Sequence, residues 1–162
     1  MSRKKILTIG EPLLRTISHP VKKFDARLSM ILRDMAQTMY EAEGVGLAAP
    51  QIGLMRRIVT IDVGEGLLEL INPEIIDTQG ECAMVEGCLS VPGRRGYVVR
   101  PEKVKVRAQD KQGHFFEVEG DGLLGRALQH EIDHLNGVLY VDLMDHEVFD
   151  QDEEEEAQEV EA

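Results

Sequence analysis

Residues 121–137 read Asp-Gly-Leu-Leu-Gly-Arg-Ala-Leu-Gln-His-Glu-Ile-Asp-His-Leu-Asn-Gly. Asp121 stands where a helix N-cap belongs and Gly137 where a left-handed stop belongs, which predicts a helix running to about Asn136. Leu123, Ala127, His130 and His134 share one face of that helix, while Leu124, Leu128, Ile132 and Leu135 supply another. A helix that is apolar on most sides is buried, so this one is expected to cross the domain centre against a sheet. Its two histidines are then buried too, and buried histidines need partners.

His130-Glu131-Ile132-Asp133-His134 is an H-E-x-x-H sequence. Residues four apart on a helix project from the same side, so both imidazoles can reach one metal ion. Glu131 is turned by about 100° from His130, which sets its carboxylate beside the metal and not on it. From there it can take a proton from metal-bound water and pass it to a leaving group. The alternative is a pair of hydrogen-bonded core histidines.

The remaining elements follow from periodicity and punctuation. Leu28, Ile31, Leu32, Met35 and Met39 recur at helical spacing within residues 24–43, with Asp25 as cap and Gly44 just past the end. Pro12 begins a single early helical turn. Residues 57–63 and 67–71 flank Gly64-Glu65-Gly66 like a hairpin, and Asn72-Pro73 is expected to end the second run. Residues 97–99, 104–108 and 115–118 read as strands, with Pro101 at a bend and a turn at 110–113. The fold class is α+β: mostly antiparallel strands packed around a central helix that carries H-E-x-x-H.

A chain of 162 residues fits one domain. The net charge of −12 is unevenly placed: residues 145–162 hold ten of the 30 acidic residues and no Lys or Arg. The rest keeps 20 acidic against 18 basic residues, a net charge near −2. We therefore expect a catalytic domain over 1–147 and an acidic, self-repelling, disordered tail over 148–162. No concentrated basic stripe points to DNA, and no run of ~18 apolar residues points to a membrane. The basic start lacks a signal-type apolar stretch, so a cytoplasmic protein is expected. A disulfide framework is then not expected of Cys82 and Cys88.

The third metal ligand decides the class. One zincin pattern continues with a third histidine, but that position holds Tyr140. The better candidate is Cys88, within Glu86-Gly87-Cys88-Leu89-Ser90-Val91-Pro92, since a metal-bound thiolate is a strong ligand. Three protein ligands leave a position for catalysis; Cys82 is read as a free thiol. A further segment, Gly44-Val45-Gly46-Leu47-Ala48-Ala49-Pro50-Gln51-Ile52-Gly53, has small residues that allow close backbone approach. Gln51 offers an amide donor suited to an oxyanion. Glu86 and Asp133 can each orient a ligand histidine or serve as internal ion-pair partners. His19, His114 and His146 are read as surface residues.

Gly-Val-Gly-Leu-Ala-Ala-Pro-Gln, Glu-Gly-Cys-Leu-Ser and Gln-His-Glu-Ile-Asp-His-Leu-Asn-Gly, in this order, resemble the three motifs of peptide deformylases. The resemblance covers roughly residues 5–145. It implies a cytoplasmic metallohydrolase that removes the formyl group from the N-formylmethionine of nascent polypeptides and releases formate. It implies Cys88, His130 and His134 as ligands of one divalent metal ion, Fe(II) by family habit, with Ni, Co or Zn able to substitute. Glu131 would be general base and then general acid as metal-bound water attacks the formyl carbon. Gln51 and the Leu89 backbone N–H would hold the oxyanion. Val45 and Gly46 would pair with the substrate backbone, Arg95 would either steer the downstream peptide or be an exposed surface charge, and Ile132 or nearby residues would help line the methionine pocket. The ribosome is a partner in the family, but the acidic tail is poorly suited to ribosomal RNA.

Two rivals remain at this level: a metalloendopeptidase built on the same H-E-x-x-H helix, and a binding module with a structural metal or redox thiol. The first lacks its usual third ligand, and the second gives Glu131 no task.

Overall fold

The computed structural model describes residues 3–149. In chain order, a 3-10 turn (Pro12–Arg15) precedes α1 (Ala26–Glu41), β1 (Gly46–Ala48) and a second 3-10 turn (Ala49–Ile52). There follow β2 (Ile58–Ile61), β3 (Leu68–Gln79), β4 (Cys82–Cys88), β5 (Val91–Arg100), β6 (Lys103–Gln109) and β7 (Phe115–Gly120). The chain then forms α2 (Gly122–Leu135), α3 (Tyr140–Leu143) and β8 (His146–Glu147).

The strands form two antiparallel sheets. One has five strands in the order β1-β2-β3-β6-β7, and the other three in the order β4-β5-β8. The helix α2 lies on the first sheet as its two-faced apolar pattern predicts. Ala127, Leu128, Ile132 and Leu135 are buried against Ala48, Val59, Ile61, Leu70, Val104, Val106 and Ala108. Alternation along β6 explains that contact, because Val104, Val106 and Ala108 face the helix while the residues between them face away.

Helix α1 buries Leu28, Leu32, Met35 and Met39 in a second core with Leu47, Ile58 and Ile71. Asp25 caps it, its side chain accepting from the Leu28 N–H at 3.1 Å. The expected glycine stop shifts by one: Glu43, not Gly44, takes the left-handed conformation, at φ 58°. At α2 the cap position is also as expected, but the Asp121 side chain makes no capping hydrogen bond. Gly137 does adopt the left-handed stop, at φ 75°, and a β-carbon there would stand 2.7 Å from the Arg15 backbone.

Asn72-Pro73 does not end β3, which continues to Gln79. The ladder with β6 skips register between Ile71 and Glu74, and this irregularity accommodates a proline that cannot donate. Asn72, at φ 52°, anchors the bulge: its side chain accepts from Val21 N at 2.8 Å and donates to Val21 O at 2.9 Å. The packed body reaches one residue into the expected tail, since Val148 donates to Arg95 O at 3.0 Å and packs on Val85 and Tyr97. The remainder of that tail, from residue 150, lies outside the described residues. No helix among the described residues is long and apolar enough to cross a membrane.

Candidate active site

Two elements meet at the site. Helix α2 presents His130 and His134 from successive turns, their ring centroids 5.2 Å apart. The end of β4 presents Cys88, whose Sγ lies 3.3 Å from His134 Nε2. Donor atoms of Cys88, His130 and His134 all fall within 4.8 Å of one another, the arrangement a single metal ion requires. The structure brings together the three residues that the sequence singles out as ligands, and Cys82 stands apart as a second free thiol.

His130 is held from behind. Its Nδ1 hydrogen-bonds Glu86 Oε1 at 2.7 Å, which leaves Nε2 to face the cleft. Glu86 is fully buried and also accepts from Arg100 Nε at 2.6 Å and from Arg126 Nη1 at 2.8 Å. Burial opposes its ionisation, but the hydrogen bonds from His130 and Arg100 outweigh burial and hold the carboxyl well below the usual range. Asp133 points elsewhere and pairs with Arg100 at 2.7 Å. Of the two carboxylates left open by the sequence, Glu86 is the one that touches a candidate ligand.

Glu131 sits beside the triad, 5% exposed, with Oε1 lacking any hydrogen-bond partner. Burial pushes its carboxyl up to about 7, which poises it to exchange a proton near neutral pH. Gln51 is equally enclosed. Its Oε1 accepts from Ala48 N at 2.9 Å, and its Nε2 donates to Ser90 Oγ at 3.0 Å and approaches Cys88 Sγ at 3.6 Å. The accepted bond fixes the amide so that its donor end faces the sulfur. Ser90, fully buried, was not singled out from the sequence; a lone serine after a motif cysteine carries no separate signal.

A cleft of about 270 Å³ opens over these groups, lined by Val45, Gly46, Gln51, Cys88, Leu89, Arg95, His130 and Glu131, among others. Leu89 occupies the tight turn between β4 and β5, since Cys88 pairs with Val91 across it. Ile132 does not line the cleft. Two residues past His130 is a rotation of about 200°, and Ile132 packs into the core of the first sheet instead. Ala127 and Val91 take the apolar lining positions. Tyr140, which replaces a third zincin histidine, stacks its ring on His130 with centroids 6.0 Å apart. His19, His114 and His146 are exposed, as expected.

The fold and the site together define a hydrolase of the class that has one candidate metal centre on an H-E-x-x-H helix. The sequence profile described as polypeptide deformylase matches residues 3–149, and the chain belongs to that family. A peptide deformylase from Thermoanaerobacter pseudethanolicus is 54% identical over 160 residues, covering 99% of this chain and 100% of that protein. The crystal structure of peptide deformylase from Thermotoga maritima matches with a TM-score of 0.87 and 41% identity, covering 89% of this chain and 99% of that one. That of a peptide deformylase from Legionella pneumophila matches at 0.85 and 45% identity, covering 98% and 92% respectively.

Proposed function

We propose that this chain hydrolyses the formyl amide of N-formylmethionine at the start of nascent polypeptides, releasing formate. The observation that carries the reading is the convergence of Cys88, His130, His134, Glu131 and Gln51 in one cleft of a deformylase-family fold. One sulfur and two imidazoles within 4.8 Å suit a single divalent ion, Fe(II) in our reading, with Ni, Co or Zn able to replace it. Such an ion, when bound, supplies Lewis acidity toward the formyl oxygen and makes water a nucleophile at neutral pH.

The chain's own residues then divide the work. Glu131 accepts the proton of the attacking water and returns it to the departing amine, a role favoured by its raised pKa of about 7. The Gln51 amide donor and the Leu89 backbone N–H face the formyl oxygen as it gains charge. Val45 and Gly46 pair with the substrate backbone as an added strand; β1 stands at the open edge of its sheet. Arg95 lies on the side where the downstream peptide leaves. Leu89, Val91 and Ala127 receive the methionine side chain.

We assign this chemistry to residues 1–147 and none of it to the acidic segment 148–162, whose charge is unsuited to ribosomal RNA. A substrate made on ribosomes places the enzyme in the cytoplasm. The test is formate release from a formyl-Met-Ala peptide by anaerobically prepared wild type and by Glu131→Gln. Release by the wild type alone supports the reading. No release from wild type shown to contain its metal turns the assignment toward a peptidase, and cleavage of an unformylated peptide would establish that.

A further inference from the structure

Helix α2 and the β4–β5 hairpin must deliver ligands to one point, yet each belongs to a different core. The apolar face of α2 packs into the five-stranded sheet. The hairpin's buried apolar residues form two other clusters, Val85 with Val148, and Val91 with Val98 and Tyr140, and neither contains a residue of α2. Only Leu89, at the hairpin's turn, packs on the core of α1 and the first sheet; where the hairpin meets α2 itself, the named contacts are made by polar side chains.

One side chain dominates that junction. Arg126, one turn before His130, is 2% exposed and donates from Nη1 to Glu86 Oε2 at 2.8 Å and to Val98 O at 2.9 Å. Its Nη2 donates to Cys82 O at 2.7 Å. Cys82 and Val98 lie on the two strands of the hairpin, so a single guanidinium grips both strands and the carboxylate that holds His130. Arg100 also meets Glu86, within the hairpin, and crosses to α2 by one bond, to Asp133 at 2.7 Å, where Arg126 makes three bonds to the hairpin. Gln129 donates to Gly125 O within α2 and, across the junction, to Pro101 O beyond the end of β5. A planar fork of donors fits three acceptors at fixed angles; an ammonium does not.

We infer that Arg126 is the positioning residue that sets the hairpin's Cys88 against the helix's His130 and His134, and so governs how tightly the metal is held. It does so without touching the metal or the substrate. Desolvating a cation here is costly, and that cost is offset by the three bonds it makes. The inference rests on the ligand set proposed above.

The test uses cobalt-loaded full-length protein and reads two quantities: the thiolate-to-cobalt charge-transfer absorption and the rate of cobalt loss to a chelator. Arg126→Met is compared with Arg126→Lys and with Gln129→Met, a control that also removes a buried bond from α2 to the β5 end. We expect Arg126→Met to weaken the band and to speed cobalt loss about 10–100-fold, as loss of a group supporting a ligand does. Arg126→Lys should recover part of this, while Gln129→Met should melt lower yet keep the wild-type band and loss rate. An Arg126→Met protein that folds and holds cobalt like wild type overturns the inference. Should that variant not fold, Arg126→Lys decides alone: cobalt loss faster than in Gln129→Met supports the inference, and an equal rate overturns it. Failure of the ligand set reads differently, as a wild type without a thiolate band or a Cys88→Ser variant that keeps its cobalt.

Discussion

Gly46 and Glu131 share one space: a β-carbon at position 46 would stand 2.5 Å from Glu131 Oε2. The backbone of the proposed peptide-binding edge and the proposed proton carrier thus pack directly on each other. Gly46→Ala must push the carboxylate away while leaving Cys88, His130 and His134 in place. We expect deformylation to fall about 100-fold, within the range general acid–base groups supply, with metal content unchanged. Elemental analysis beside a formate assay separates these. Loss of metal together with activity would show that the packing serves the ligands instead.

Burial of Glu131 has a cost in stability as well as a use. Its carboxyl rises from 4.5 to about 7 on folding, so the folded chain binds a proton that the unfolded chain releases. The penalty begins above pH 4.5, grows to pH 7 and is then constant, at about 3 kcal/mol by the usual conversion. Metal-free Glu131→Gln should therefore unfold at higher urea than metal-free wild type at pH 8, with a smaller gap at pH 5. Equal midpoints at pH 8 would mean the carboxylate finds a partner in solution.

Glu86 has the opposite sign. Its folded pKa lies well below the unfolded 4.5, so its contribution is fully present above that value and is lost as pH falls toward the folded one. Glu86→Gln should be markedly less stable than wild type at pH 7, by several kcal/mol as for a broken buried charge network. The difference should shrink as pH drops below 4.5. Urea titrations at pH 7 and pH 3 test it; a constant difference would refute the linkage.

Gln51→Leu should lower kcat about 100–1,000-fold with little change in KM, the pattern expected when an oxyanion donor is lost. Ser90→Ala removes one acceptor that holds the amide and leaves its donor in place, so a reduction of about tenfold or less is expected from the loosened restraint. Steady-state kinetics on both variants check the order. A larger effect from Ser90→Ala would transfer the role to the serine.

Much of the site was legible because α2 carries it at a fixed period: His130 and His134 one turn apart, Glu131 offset to the side. The same geometry excludes Ile132 from the cleft, since it lies on the far side of the helix from His130, and there the family expectation outran the helix. Asn72-Pro73 misled as a strand end because a register shift hides a proline inside β3. Of the Arg100, Arg126 and Glu86 cluster, only Glu86 drew a reading, as a support for a ligand histidine or an ion-pair partner, and neither arginine could be read. The cluster's members come from β5, α2 and β4, and no local pattern marks an arginine as buried before its carboxylate is known to be buried beside it.

The edge strand β1 is only three residues long. At about 3.3 Å per residue, that ledge measures roughly 10 Å. A guest strand laid along it can be gripped over some three residues and no more. Such a short ruler samples only the leading end of a chain and is indifferent to whatever trails behind. If the substrate binds by the strand addition proposed above, the same catalyst can serve products of every length, beginning as soon as the first few residues are free.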